Sequence, residues 1–435
     1  MSSLLETPAV ASLLDEHPRA VVVDAIRAAI DSARAAARPT NDWPAAIQSE
    51  LAVATRGSLR PVINATGIIL HTNLGRAPLA KAALDAIVSA SRGFSNLEYD
   101  LESGRRGSRH SHCVSLLKRL TGAEDAMVVN NGAAALVLAL NTLARKKEAL
   151  VSRGELVEIG GSFRIPEIIE RSGVKLVEVG TTNRTHPDDF RRAITKKTAA
   201  IVKIHRSNFA VAGFVSEVGV PDLVFIADEH GLPVIHDLGS GLMIPLDEYG
   251  LTGEPTVREA MAAKPTLAIM SGDKLLGGPQ SGIILGDSKT IAKLRANPLA
   301  RALRVDKMTI AALEATLRIY LDDERAVAEI PALAMIASTV ESLRQRAAMI
   351  VGTTGAGVEI VESEASVGAG AFPTATIPSM AIALRGDARK LDKRLREGAV
   401  PVVGRISDDT LLLDLRSVPL QDDPDFAAAL AEATR

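Results

Sequence analysis

The sequence predicts an α/β protein built on a mostly parallel, seven-stranded sheet that helices cover on both faces. Between residues 61 and 310, short apolar runs rich in β-branched side chains alternate with stretches of helical periodicity. Such alternation is typical of parallel sheets, because each crossover helix carries the chain back to the same edge. The predicted strands are 126–129, 149–152, 175–179, 199–204, 233–236, 266–270 and 282–285. Ligands of such sheets bind outside the carboxyl ends of the strands.

Two further regions flank the predicted sheet. A chain of 435 residues is too long for a single hydrophobic core. Residues 1–60 are predicted to form a helical domain, in which apolar residues such as Val22 and Ile26 recur at helical spacing. Residues 61–310 form the large domain. Residues 311–435 are predicted to form a smaller α+β domain, in which helices precede strands at 357–363, 379–384, 401–406 and 410–415.

The composition narrows the classes of function. The net charge of −2 gives no overall basic field for nucleic acid, so any such contact needs a local patch or several subunits. The single cysteine, Cys113, excludes an intrachain disulfide. No uninterrupted apolar run approaches the length that crosses a bilayer. These features predict a cytoplasmic protein.

Polar residues follow several of the predicted strands. The turn at Asn131, Gly132 and Ala133 offers backbone N–H groups at the start of a helix, where phosphate groups bind readily. Asp237 ends another strand and enters a glycine turn, where an acid is also a common helix cap. Asn208 follows a third strand.

The stretch MSGDKLLGGPQSGI, residues 270–283, carries the strongest candidate, Lys274. A lysine at a strand end is most often a solvated surface residue. Here Ser271 and Asp273 precede the lysine, and glycines that let a ligand approach the backbone follow it. This setting favours a chemical role for Lys274.

Together these strand ends suit one cofactor, pyridoxal 5′-phosphate. The amine of Lys274 would condense with its aldehyde. Asp237 would keep the pyridine nitrogen protonated, and Asn208 could donate a hydrogen bond to the phenolic oxygen. Ser271, with the turn at residues 131–133, could hold the phosphate.

The glycine-rich stretch ESGRRGSRHSH, residues 102–112, allows two interpretations. It is either a cationic loop near an anionic ligand or a solvated run of charge. His110 and His112 raise the question of a metal, but eight scattered histidines and one cysteine provide no zinc-like set. No metal is therefore expected.

The chain resembles the bacterial selenocysteine synthases, the L-seryl-tRNA(Sec) selenium transferases, which are fold-type-I pyridoxal-phosphate enzymes. The resemblance spans nearly the whole chain. The motifs that carry it are PVINATGIILHTNLGRAPL (61–79), YDLESGRRGSRHSH (99–112), VVNNGAAAL (128–136), SRGELVEIGGSFRIPEI (152–168), IHRSNFAVAGF (204–214), HDLGSG (236–241), SGDKLLGGPQSGII (271–284), RALRVDKMTIAALEATL (301–317) and PVVGRISDDTLLLDLR (401–416).

The resemblance implies conversion of seryl-tRNA(Sec) to selenocysteyl-tRNA(Sec), with selenophosphate as the selenium donor. Water would leave the seryl Cβ to give aminoacrylyl-tRNA, and selenium would then add. The resemblance implies Lys274 as the Schiff-base lysine. It also places Arg76, Arg301 and Arg304 at the anionic donor, with Asp273 in the same site.

The resemblance further implies a ring-shaped homodecamer, a pentamer of dimers, in which residues 1–60 contact the tRNA. That segment has six arginines and seven acidic residues, so it is not basic. Phosphate contact usually dominates affinity for nucleic acid. A local stripe of Arg27, Arg34 and Arg38, or surfaces shared between subunits, could provide that contact.

Two other functions remain open from the sequence. One is a related pyridoxal-phosphate lyase that acts on a small amino acid or an amino sugar phosphate; such relatives tend to lack the N-terminal domain. The other is a non-catalytic RNA-binding or assembly protein on the same fold, against which the pair of Asp237 and Lys274 argues.

Overall fold

The computed structural model describes residues 2–5, 7–35, 42–159, 163–354 and 357–434. The chain divides into two compact units, Met1–Pro61 and Val62–Arg435. Across the described ranges, no helix combines the length and apolarity needed to span a membrane.

The first unit is helical. Its helices are α1 (Ser2–Leu5), α2 (Pro8–Glu16), α3 (Arg19–Ala35) and α4 (Trp43–Thr55). The helical spacing predicted α3, and its side chains Val22 and Ile26 are fully buried against Val10 and Ile47. A small apolar core therefore holds these helices together.

The arginines of the predicted stripe are paired within their own helix. Arg27 contacts Asp24 at 3.0 Å, and Arg34 contacts Asp31 at 3.4 Å. Arg38 lies outside the described residues. Exposed pairs of this kind contribute little stability, so both guanidinium groups can exchange their partners for phosphate oxygens.

The second unit begins with the large sheet and its helices. The strands before residue 310 are β1 (Ile63–Asn64), β2 (Tyr99–Asp100), β3 (Arg105–Arg106), β4 (Asp125–Val129), β5 (Glu148–Ser152), β6 (Glu158–Ile159), β7 (Phe163–Arg164), β8 (Lys175–Val179), β9 (Thr198–Ile204), β10 (Val234–Gly239), β11 (Leu267–Ser271) and β12 (Gly282–Gly286). The helices of this region are α5 (Lys81–Ser91), α6 (Ser111–Thr121), α7 (Gly132–Ala144), α8 (Ile165–Arg171), α9 (Pro187–Ala193), α10 (Val220–His230), α11 (Val257–Ala262), α12 (Ser288–Ala296), α13 (Leu299–Ala302) and α14 (Lys307–Ile319).

All seven predicted strands belong to one sheet. Its strand order is β4-β12-β11-β10-β9-β5-β8. Strands β8, β5, β9, β10 and β11 run parallel to one another, whereas β12 is antiparallel to both β11 and β4. The prediction of a mostly parallel α/β sheet is confirmed. The carboxyl ends of β9, β10 and β11 therefore lie side by side.

The C-terminal part of the second unit has its own antiparallel sheet. The strands of this C-terminal part are β13 (Val358–Ala365), β14 (Ile377–Leu384), β15 (Val402–Val403), β16 (Arg405–Ser407) and β17 (Thr410–Asp414). Its helices are α15 (Asp323–Glu329), α16 (Pro331–Ala337), α17 (Val340–Val351), α18 (Ala388–Glu397) and α19 (Asp423–Ala433). The sheet order is β13-β14-β17-β16. Strand β1 pairs in parallel with β15, so the start of this unit joins its C-terminal layer.

The boundary predicted at residue 310 falls within α14. Buried residues of α14 to α16, such as Leu313 and Leu333, pack in the same core as Met270 of β11. The separate core of the antiparallel sheet includes Leu343 of α17 and Phe426 of α19. We therefore propose that the small domain begins between α16 and α17.

Candidate active site

Lys274 lies just beyond β11 and is almost completely buried, with 5% of its surface exposed. Burial lowers the pKa of Lys274, and the nearby carboxylate of Asp237 partly offsets that effect. Among the described residues, the Nζ atom has no hydrogen-bond or ion-pair partner within contact distance. A buried amine with a lowered pKa and no partner is suited to nucleophilic chemistry.

Asp237 lies near the end of β10, between Ile204 of β9 and Ile269 of β11. Its Oδ1 atom accepts a hydrogen bond from the backbone N–H of Gly239 at 3.1 Å. Burial raises the pKa of Asp237 to about 6, although Lys274 acts in the opposite direction. A bound cationic group would stabilise the ionised carboxylate.

The predicted phosphate cradle brings α7 close to the end of β11. Asn131 caps α7, and its Oδ1 atom accepts a hydrogen bond from Ala134 N at 2.8 Å. A Cβ atom added to Gly132 would lie 2.9 Å from the Oγ atom of Ser271. The backbone N–H groups of Gly132 and Ala133 belong to the first turn, which lacks intrahelical acceptors. The arrangement fits a phosphate held by Ser271 and the helix start.

Asn208 lies in the loop after β9. Its Nδ2 atom donates a hydrogen bond to the carbonyl oxygen of Glu158 at 2.7 Å, and the residue is exposed. Its neighbour Ser207 is buried and lies closer to Lys274, since a Cβ atom on Gly239 would approach both side chains. The predicted contact between Asn208 and the cofactor ring stays a prediction.

Arg76 and Asp273 form an ion pair although they are far apart in the sequence. The Nη1 atom of Arg76 lies 2.8 Å from Oδ2 of Asp273. Arg76 has a positive φ of 64° in a turn that follows Gly75. Such backbone strain in a non-glycine residue is concentrated at functional sites. The pair lines a cleft of about 520 Å³, together with Thr72 and Gln280.

Arg301 and Arg304 do not take part in that ion pair. Arg301 is exposed on α13, and its side chain makes no hydrogen bond or ion pair with another described residue. Arg304 lies 3.7 Å from Glu98, which also binds Arg106 at 3.1 Å and Arg109 at 2.7 Å. In the described ranges no contact joins Arg76 to either of the other two arginines. Arg76 is thus paired with Asp273, and Arg304 lies beside Glu98.

The cationic loop is tied to the same region. Arg109 donates to Glu98 and to the carbonyl oxygen of Val305, one residue after Arg304. Three guanidinium groups share the single carboxylate of Glu98, which leaves an excess of positive charge. His110 is half-buried nearby, and its burial, together with the charges of Arg295, Arg109 and Arg304, lowers its pKa to about 4. The surroundings suit an anion, which remains the prediction for this loop.

No group of three or more histidine, cysteine, aspartate or glutamate residues in the described part of the chain is arranged to hold a metal ion.

Comparison with known proteins reveals the chain's relatives. Residues 62–419 match the family described as L-seryl-tRNA selenium transferase, and residues 1–34 match the selenocysteine synthase N-terminal family. The chain belongs to the L-seryl-tRNA selenium transferase family. The resemblance predicted from the motifs is confirmed.

Individual members of this family are similar along their whole length. The L-seryl-tRNA(Sec) selenium transferase of Geobacter sulfurreducens is 47% identical, over 99% of this chain and 97% of the relative. That of Rhizobium meliloti is 46% identical, over 100% and 96%. That of Moorella thermoacetica is 50% identical, over 89% and 84%.

The family fold is also recognisable among solved structures. A D-glucosaminate-6-phosphate ammonia-lyase superposes with a TM-score of 0.62 at 22% identity, over 86% of this chain and 96% of that chain. At this identity the likeness concerns the fold alone. The prediction of a fold-type-I pyridoxal-phosphate fold is confirmed.

The motifs did not reveal a group of polar residues behind Asp237. The Nε2 atom of His205 lies 3.1 Å from Oε2 of Glu254, whose side chain is 2% exposed. The backbone N–H of His205 donates to the carbonyl oxygen of Asp237 at 2.9 Å. His205 could have been noticed beside Asn208, but no local pattern indicates Glu254.

Proposed function

We propose that this chain converts seryl-tRNA(Sec) to selenocysteyl-tRNA(Sec), with selenophosphate as donor and pyridoxal 5′-phosphate as cofactor. The observation that carries the proposal is the buried, unpartnered Lys274 beside Asp237 in a chain with full-length relatives of this name. A cytoplasmic location is part of the proposal.

The residues around Lys274 fit the cofactor. Ser271 and the first turn of α7 would hold its phosphate, because the missing Cβ of Gly132 leaves room beside the serine hydroxyl. The carboxylate of Asp237 would accept a hydrogen bond from the ring nitrogen, and the amide of Asn208 would reorient toward the ring oxygen. When bound, the cofactor supplies an aldehyde for an amine and a ring that accepts the electron pair released at the substrate Cα.

The chain's own residues would then manage protons and charge. Lys274, once displaced by the substrate amine, would remove the proton from the seryl Cα and return one after selenium has added. Its lowered pKa makes the neutral, basic form more accessible. Water leaves Cβ in the first half of the reaction. A water molecule is consumed in the second half, when the selenium–phosphorus bond breaks and phosphate departs.

Arginines would hold the selenium donor. Asp273 fixes the guanidinium of Arg76 at the edge of the cleft described above. Arg301 and Arg304 would supply further planar donors that bind phosphate-like oxyanions in pairs of hydrogen bonds. As the family resemblance suggests, a neighbouring subunit would complete the donor site.

A homo-oligomer is therefore part of the proposal, and the resemblance suggests a decamer. Large apolar side chains between residues 84 and 101 support an interface, since Phe94 is fully exposed and Leu101 is 74% exposed. Leu84 and Val88 are half exposed on the outer face of α5. The N-terminal unit would contact the tRNA, with the exposed Arg27 and Arg34 available to phosphate oxygens.

The decisive experiment is a conversion assay with seryl-tRNA(Sec) and selenophosphate, in which free serine replaces the charged tRNA as the control. Selenocysteyl-tRNA(Sec) should form only with the charged tRNA. Breakdown of free serine alone would favour the lyase alternative. Protein that binds tRNA but takes up no cofactor would favour the non-catalytic alternative.

A further inference from the structure

A second pocket lies near Lys274 and shares no lining residue with the Arg76 cleft. It encloses about 300 Å³ between the end of β9, the loop at residues 252–254 and the segment 372–375. We call it the Phe209 pocket, after the aromatic side chain in its wall. Its volume is at the lower end of the range for small-molecule sites, roughly 300–1,000 Å³.

Two chain segments connect this pocket to the lysine. A Cβ atom on Gly239 would lie 3.7 Å from Nζ of Lys274 and 3.6 Å from Oγ of Ser207. A Cβ atom on Gly370 would lie 3.0 Å from the same Ser207 oxygen. The residues that follow Ser207 and Gly370 in the chain form two of the pocket walls, at residues 209–211 and 372–375. Both walls therefore begin two residues after positions packed at Ser207, and Ser207 lies near the reacting amine.

Of the buried polar side-chain atoms in the residues that line the Phe209 pocket, one has no hydrogen-bond partner among the described residues. Glu254 binds His205 through Oε2, and its buried Oε1 atom has no hydrogen-bond partner among the described residues. The cations in the wall are already paired, Lys203 with Glu155 and Arg206 with Glu217. A buried carboxylate oxygen without a donor is unfavourable. The pocket therefore suits a ligand that brings an N–H donor, and it disfavours an anion.

The other feature of the pocket is its aromatic wall. Phe209 is 37% exposed, so its ring offers accessible apolar surface to a planar group. Bases of single-stranded nucleic acids commonly stack on such rings. A planar base with an exocyclic amine matches both the ring and the carboxylate oxygen.

We propose that the Phe209 pocket binds the 3′-terminal adenosine of the aminoacylated tRNA, with the base against Phe209 and its amine donating to Oε1 of Glu254. This inference rests on the proposed function. The seryl ester is attached to the ribose of the terminal nucleoside, so that nucleoside must lie within one aminoacyl group of Lys274. The Arg76 cleft carries the cation that an anionic donor requires, which leaves the Phe209 pocket to the uncharged nucleoside.

The test measures binding to the cofactor-loaded enzyme by calorimetry. The probes are 3′-seryl-amido-3′-deoxyadenosine, whose amide cannot be hydrolysed as the ester is, and its inosine counterpart. The wild type should bind the adenosine probe about 10-fold more tightly, since inosine presents an oxygen to the carboxylate. Glu254→Gln keeps the shape of the side chain but offers an amide donor, so it should abolish or reverse this preference.

Phe209→Ala should weaken both probes by about 10-fold, because stacking does not depend on the base. Phe214→Ala is the matched control, since this exposed phenylalanine lies in the same loop, packs under Arg184 and does not line the pocket. Its binding should match the wild type. Equal affinities for the two probes in the wild type, or unchanged binding in both pocket variants, would overturn the inference. Conversion of seryl-tRNA(Sec) by the same wild-type protein would show that the proposed function itself still stands.

Discussion

Two buried lysines lie at the carboxyl ends of strands in the same sheet, and they differ in their partners. Lys203, near the end of β9, is 8% exposed and lies 2.7 Å from Glu155, which is also buried. Lys274, beyond β11, is 5% exposed and has no such partner among the described residues. Burial alone therefore does not distinguish a structural lysine from a reactive one.

The partner decides what each amine can do. Glu155 holds the Lys203 ammonium in an ion pair and also accepts a hydrogen bond from Ile204 N at 3.0 Å. This carboxylate stabilises the local backbone and occupies the amine of Lys203 in a direct contact. Burial lowers the pKa of Lys274, and no carboxylate contacts its amine directly among the described residues. The amine is therefore available to react.

The largest effect is expected when the unpartnered lysine is removed. Lys274→Ala should abolish turnover because no other group is placed to bond the cofactor or move the Cα proton. After borohydride reduction, mass spectrometry should detect the cofactor on the Lys274 peptide of the wild type and on no peptide of the variant. Lys203→Met is the matched control and should retain the labelled peptide. Label on Lys203 would reverse the assignment of the two lysines.

Asp237→Asn should have the next largest effect. The amide keeps the shape of the side chain but removes the charge that would stabilise a protonated ring nitrogen. We expect a loss of about 100-fold or more in water elimination, the scale for one positioned group in a catalytic site. Single-turnover experiments should measure the rate of water elimination in Asp237→Asn. The rate of selenium transfer in Asp273→Asn provides the comparison. Near-normal elimination would mean that Asp237 only orders the turn at Gly239.

The same substitution should stabilise the cofactor-free protein. The pKa of Asp237 is about 6 in the folded chain against an ordinary 3.8, so the folded state holds its proton to higher pH. The free energy of unfolding should thus fall as pH rises from about 4 to 6. Above that range, Asp237→Asn should unfold at a higher denaturant concentration than the wild type. Its free energy of unfolding should be higher by about 2 kcal/mol, after allowance for the partial solvent access of the side chain. Parallel pH profiles for the two proteins would contradict this linkage.

Arg304→Ala should affect only the second half of the reaction. Elimination of water should proceed, whereas selenium transfer should fall by about 10- to 150-fold, the value of a charge-assisted contact. A single-turnover experiment that follows the dehydrated ester and selenocysteyl-tRNA separately measures both steps. Arg301→Ala should have the same effect. Lysine at either position should restore little of the selenium transfer, because its point charge does not reproduce the planar guanidinium group.

Arg106→Ala provides the control for that experiment. Arg106 also contacts Glu98, but its side chain is 75% exposed and it is not in the proposed donor set. The variant should transfer selenium normally. If Arg304→Ala slows both steps equally, the arginine positions the tRNA or the cofactor instead.

The smallest effect on turnover is expected at the paired lysine. Lys203→Met should keep the cofactor on Lys274 and lose far less turnover than Lys274→Ala, but it should lower the free energy of unfolding by about 3–5 kcal/mol, because Glu155 becomes an uncompensated buried charge. Adding Glu155→Gln should recover most of that loss, since the amide oxygen can still accept from Ile204 N. Denaturant unfolding of the single and double variants checks this. A double variant as unstable as the single one would show that the ion pair is not the cause.

The sequence by itself determined the seven strands and the polar residues that end them. Each strand is a short, β-branched apolar run, and this local pattern is enough because strands buried on both faces need continuous apolar side chains. The adjacent glycines singled out Lys274, and contiguous motifs carried the family resemblance. These features all lie within short stretches of chain.

Only the tertiary structure decided how those stretches meet. It placed β12 antiparallel between β4 and β11, and it joined β1 to β15. It paired Arg76 with Asp273 and left Arg304 with Glu98. The sequence did not show that Lys203 is paired and Lys274 is not, because the Glu155 carboxylate arrives from another part of the chain. Burial, charge state and partner are properties of contacts between distant residues, which no local periodicity encodes.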